Sequence, residues 1–140
     1  VLAFLNAAHQ MIVIACDEPS SITDAYALIK VMSQRYGATR FHFLASMVKN
    51  EKEGRALYTK IERVVDHYLG ATMLYLGSTP HDDQLRIANK QQKAVVQAAP
   101  MANSSRAYMQ MAAIVERWEA PTGLSGQVEF FIDRLLQREA

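Results

Sequence analysis

The run Met11-Ile-Val-Ile-Ala-Cys16, followed at once by Asp17-Glu-Pro-Ser-Ser21 and a helix-like stretch to Tyr36, constrains the fold more than any other feature. A strand apolar on both faces is normally covered by helices on both sides, which points to a parallel sheet. Ligands of such sheets sit beyond the carboxyl ends of the strands. Asp17, Glu18 and Ser20 fall at that edge.

The pattern then repeats. Ser20 or Ser21 is expected to cap a helix, with Asp24 completing a capping-box variant and Gly37 closing the end. Phe41 to Val48 reads as a second strand, and Glu51 to Leu69 as a helix with Leu57, Ile61, Val64, Val65 and Tyr68 on one face. Gly54 leaves the start of that helix soft. Thr72 to Leu76 is a third strand. One helix between each pair of strands gives a three-layer α/β fold with βαβαβ crossovers. A short helix over about Asp83 to Lys90 follows. Another starts at Ser104 or Ser105, with Tyr108, Met111, Val115 and Trp118 on one side. The chain divides into a body (1–120), a Pro/Gly linker (121–126) and a C-terminal amphipathic helix (127–140). The opening Val1-Leu-Ala-Phe-Leu-Asn-Ala-Ala8 has the look of a helix lacking its start, which suggests a fragment.

Several function classes are disfavoured. A net charge of +1 leaves no broad footprint for nucleic acid. The lone Cys16 cannot form an internal disulfide and suits a reducing compartment, so a cytoplasmic location is expected. No G-x-x-x-x-G-K-[ST] or G-x-G-x-x-G occurs, so these 140 residues alone are not expected to hydrolyse a nucleotide. His9, His42, His67 and His81 lack metal-ligand spacing.

The remaining candidates each carry two readings. Asp17 and Glu18 can hold magnesium or orient a water, or they can simply favour the next helix N-terminus electrostatically. Ser46, Ser78, Thr79, His81, Asp82 and Asp83 share the rim of strands two and three, where they close round a base or sugar, or form only a turn and a helix start. In the tail, Val128, Phe131, Ile132 and Leu135 recur at helical spacing, with Phe130 and Leu136 widening the face. Such a helix lies in a membrane interface or packs on a protein.

With those residues in view, Cys16-Asp-Glu-Pro-Ser-Ser-Ile-Thr-Asp-Ala-Tyr-Ala-Leu-Ile-Lys30 closely resembles the corresponding segment of the MinD/ParA-type ATPases that set flagellar number, the FlhG (FleN) proteins. The match continues through Met47-Val48, Glu53-Gly54-Arg55, Leu76-Gly77-x-x-Pro80-x-Asp82, Lys90-Gln-x-x-Ala-Val-Val96 and Glu129-Phe-Phe-Ile-Asp-Arg-Leu135. The resemblance implies the C-terminal half of such a protein. The other half would carry the deviant Walker A lysines and the residues that bind magnesium and position water. It further implies an ATP- and Mg2+-dependent homodimer that restrains a σ54-dependent flagellar transcription activator, with no direct nucleic-acid contact. The C-terminal helix would touch the inner face of the cell membrane through Val128, Phe130, Phe131, Ile132, Leu135 and Leu136. Ser46, Met47, Pro80, His81 and Asp82 would line the adenine side, and Asp17, Glu18 and Asp24 a partner or dimer surface. Where the family usually has Asn before Met-Val, this chain has Ser46, and His81 stands where a Tyr is usual. A nucleotide-independent protein-binding module and a metal-dependent phosphoryl-transfer enzyme using Asp17 and Glu18 are the competing readings.

Overall fold

A computed structural model describes residue 8 and residues 10–118. Within them, strands β1 (Ile12–Ala15), β2 (Arg40–Val48) and β3 (Thr72–Pro80) alternate with helices α1 (Pro19–Tyr36) and α2 (Glu51–Leu69). Three more helices follow: α3 (Asp83–Lys90), α4 (Val95–Ala98) and α5 (Asn103–Val115). All pairings are parallel and the order is β1-β2-β3. The α/β architecture expected from the strand–helix alternation is therefore the one observed.

The strand pleat sorts side chains into two layers. Val13 and Ala15 of β1, with Phe41, Phe43 and Ala45 of β2, pack against Ala25, Ile29 and Met32 of α1 and Leu57, Ile61 and Val65 of α2. Leu44 and Leu76 turn to the other face and meet Met111 of α5, with Tyr108, Val115 and Trp118 packed around them. That face of α5 is the one its sequence spacing indicates. Trp118 also stacks on the His42 ring, with centroids 3.9 Å apart. Burial, and secondarily the nearby Arg40 charge, holds the His42 pKa below its ordinary value.

Several local expectations are corrected. β1 is covered on one face only among the described residues: Ile12 and Ile14 are 41% and 60% exposed. Cys16 lies beyond the strand and is half-buried. Neither Ser20 nor Ser21 caps α1. The N-cap is Glu18, without a side-chain capping bond, and Pro19 occupies the first turn, where its fixed φ suits a helix and its missing N–H costs nothing. Asp24 consequently lies beyond the first turn, and the Ser21 hydroxyl accepts from the Cys16 N–H at 3.1 Å instead. Gly37 does end the helix, at φ 70°, a left-handed conformation that only Gly adopts without penalty.

α2 is set by its cap. The Asn50 carboxamide oxygen accepts from the Glu53 N–H at 3.0 Å, and the Glu53 carboxylate accepts from the Lys49 N–H. Val64 (39%) and Tyr68 (68%) stand outside the buried stripe of this helix. β3 runs four residues longer than its apolar run because it keeps pairing with β2 through Gly77, Ser78 and Pro80. α5 begins at Asn103, one residue before the serines, and both Ser104 and Ser105 are wholly buried. The linker and the tail helix (121–140) lie outside the described residues.

Candidate functional site

The carboxyl ends of β2 and β3 are irregular, and the irregularity builds a pocket. The register between the two strands shifts from Ala45 to Val48. Inside that shift Met47 adopts φ 55°, a left-handed conformation that an ordinary side chain enters only at a cost of order 1–3 kcal/mol. The distortion carries Met47 out of the strand plane and leaves it 51% exposed at the rim. Opposite, the Asp82 side chain accepts from the Gln84 N–H at 2.8 Å and starts α3 directly after β3.

Between them lies a cavity of about 440 Å³, within the range of small-ligand sites. Met47 and Leu85 supply apolar walls, His81 and Asn89 the polar ones, and Arg86 and Lys90 a basic rim. The Arg86 guanidinium is paired with Asp83 at 3.2 Å. Leu85 and Asn89 are four residues apart and therefore share one face of α3.

Asp82 is more a latch than a wall. One carboxylate oxygen accepts from Gln84; the other accepts from the Ser104 N–H at 2.9 Å and the Ser104 hydroxyl at 2.8 Å. The Ser104 backbone bond, then its hydroxyl, holds the Asp82 carboxyl below the usual carboxylate range. This one side chain thus ties the pocket floor to α5.

Of the residues expected on the base side, Met47, His81 and Asp82 line the cavity. Ser46 does not: its Oγ accepts from the hydroxyl of the buried Thr79 at 3.3 Å. Pro80 ends β3 without joining the lining. Ser78 is drawn away to Glu51 of α2, at 2.7 Å. Leu85, Arg86, Asn89 and Lys90 were not expected from the sequence. The signal that could have found them is the placement of α3, whose first turn begins where β3 ends.

The acidic loop after β1 divides. Lys60 of α2 donates to Asp17 at 2.8 Å, an exposed pair that adds little to stability but fixes the loop beside α2. Glu18 occupies the N-cap position of α1 with an exposed side chain that makes no capping bond. Asp24 lines a separate cleft of about 400 Å³ along the outer side of β1, with Ile12, Ile14 and Ser20. Among the described residues no three His, Cys, Asp or Glu side chains converge as a metal site. No helix there is long and apolar enough to cross a membrane.

Comparison with known proteins supplies a context. No family model matches the chain. Over all 140 residues it is 41% identical to the antiactivator FleN of Pseudomonas aeruginosa, covering 50% of that protein. It is 32% identical over 114 residues to the flagellum site-determining protein YlxH of Helicobacter pylori, covering 38% of it. Half or less of each curated relative is therefore spanned. Among solved structures, the MinD cell division protein of Aquifex aeolicus superposes with a TM-score of 0.55 over 86% of this chain and 49% of its own, at 17% identity. That likeness concerns the fold.

Proposed function

The chain belongs to the FlhG/FleN type of MinD/ParA-family proteins, and on that premise we propose that it forms the base-binding part of an ATP-dependent regulator of flagellation. The observation that carries this reading is the pocket at the β2 and β3 ends, which pairs apolar walls with polar groups at the edge where such sheets take ligands. An adenine base fits that chemistry: flat, apolar on its faces and polar at its rim.

The described residues offer no metal ligand set and the sequence no phosphate loop. ATP phosphates and Mg2+ would therefore be held by other parts of the intact protein, which would supply the phosphoryl chemistry. Met47, Leu85 and Asn89 would hold the base, and Asp82 would keep α3 against it. In the intact protein, nucleotide binding would drive homodimerisation, and the dimer would restrain a σ54-dependent flagellar activator. Asp17, Glu18 and Asp24 would face the dimer or the partner. The tail face of Val128, Phe130, Phe131, Ile132, Leu135 and Leu136 would contact the inner surface of the membrane.

Titration of the intact gene product with ATP and Mg2+ in a calorimeter tests the base site. Leu85→Glu buries a carboxylate against the ring and should weaken binding at least tenfold without unfolding the protein, because Leu85 is only half-buried. Unchanged ATP affinity in Leu85→Glu would contradict the assignment, and activator binding indifferent to ATP would favour a nucleotide-independent module.

A further inference from the structure

We propose that Asn89 is the residue that makes this pocket select adenine over guanine, a role that rests on the nucleotide reading above. Few polar groups around the cavity remain available to a base. Ser46 is not in the cavity, and its hydroxyl is engaged by Thr79. Both Asp82 oxygens are occupied by three donors from Gln84 and Ser104. Arg86 and Lys90 donate only, and Arg86 is already paired with Asp83.

His81 also lines the cavity, but its two ring nitrogens point in diverging directions and cannot both meet adjacent atoms of one base edge. Asn89 differs from all of these. Its side chain makes no hydrogen bond among the described residues, and it lines the cavity one helical turn beyond Leu85. A carboxamide presents a donor and an acceptor side by side. That pair matches adenine, whose amino group donates while N7 accepts. Guanine offers two acceptors, O6 and N7, along the same edge, so the Asn89 carbonyl would face a like group. Met47 and Leu85 would grip the ring faces and leave its edge to Asn89. Because Asn89 stands at an open rim, water competes for its bonds. The discrimination it adds should lie at the lower end for a two-bond contact, about five- to tenfold.

The test is competition of ATP and GTP against a fluorescent ATP analogue on the intact gene product. Wild type should prefer ATP. Asn89→Ala should lower that preference about five- to tenfold, whereas Asn89→Asp, which still accepts from the adenine amino group but faces both guanine acceptors, should retain it. Ser46→Ala should leave it unchanged. Thermal melts should match wild type for both Asn89 variants, since the residue is exposed. Full ATP preference in Asn89→Ala, or its collapse in Ser46→Ala, would overturn the assignment while leaving nucleotide binding intact. Equal binding of ATP and GTP by wild type would do the same. Failure of wild type to bind either nucleotide would overturn the assignment together with the reading it rests on.

Discussion

Asp82→Ala should destabilise the protein by about 3 kcal/mol, the combined effect of a lost helix cap and two stranded donors. Ser104 is wholly buried, and its N–H and hydroxyl both point at the Asp82 carboxylate. Truncation leaves these donors without partners in a site closed to water, which is the costly way to lose a hydrogen bond. Gln84, at the exposed start of α3, recovers part of its loss by bonding to water. Asp82→Asn keeps an acceptor and should lose roughly half as much. The pH dependence has a definite sign. The Asp82 carboxyl titrates lower in the folded protein than in the unfolded chain, where it lies near 3.9. Its contribution is therefore complete above about pH 5 and disappears as pH falls through the folded value. Urea unfolding followed by circular dichroism across a series from pH 7 into acid should show the gap between wild type and Asp82→Asn begin to narrow below about pH 5 and keep narrowing as pH falls. Parallel loss of stability in both would refute the latch.

Gly54→Val should cost a further large amount, about 2–3 kcal/mol, through overpacking. An Ala in a helix is normally worth about 1 kcal/mol over Gly, so the sequence alone suggests that a side chain here would help. The structure reverses that sign. A Cβ on Gly54 would stand 2.8 Å from the Tyr75 hydroxyl and 2.9 Å from the Ser78 Cβ, so α2 lies against β3 with no space between them. The Tyr75 hydroxyl is itself buried without a hydrogen-bond partner, with the Arg55 guanidinium 4.8 Å from its ring centroid. Tyr75→Phe removes the nearest obstructing atom and an unsatisfied group, and should be neutral or slightly stabilising. Gly54→Ala combined with Tyr75→Phe should therefore be less damaged than the single changes predict. Chemical denaturation of all four forms gives the coupling directly. Strict additivity would argue against the close contact.

What the sequence made legible was whatever a short-range rule determines. The apolar run Phe41 to Val48 and the spacing of Leu57, Ile61 and Val65 give β2 and most of the buried face of α2, while Val64 and Tyr68, which the same spacing puts on that face, stand exposed. The start of α1 was less legible because two serines compete with Pro19 as a boundary signal. The four-residue α4 is too short for any period to register. Ser104 and Ser105 suggest caps locally, yet their hydroxyls go to Asp82 and to the Ala99 carbonyl, bonds that tertiary packing decides. The site followed the same division. Met47, His81 and Asp82 are legible as strand-end residues, whereas Leu85 and Asn89 enter the pocket only because tertiary packing sets α3 across the cavity from Met47.

Photolabelling of the intact gene product with 2-azido-ATP, followed by mapping of the modified peptides, tests the base pocket most directly. Label should concentrate on the segment around Met47 and on 81–90, be displaced by unlabelled ATP, and fall sharply in Leu85→Glu. Displaceable label confined to other parts of the protein, with these two segments unmodified, would contradict the account.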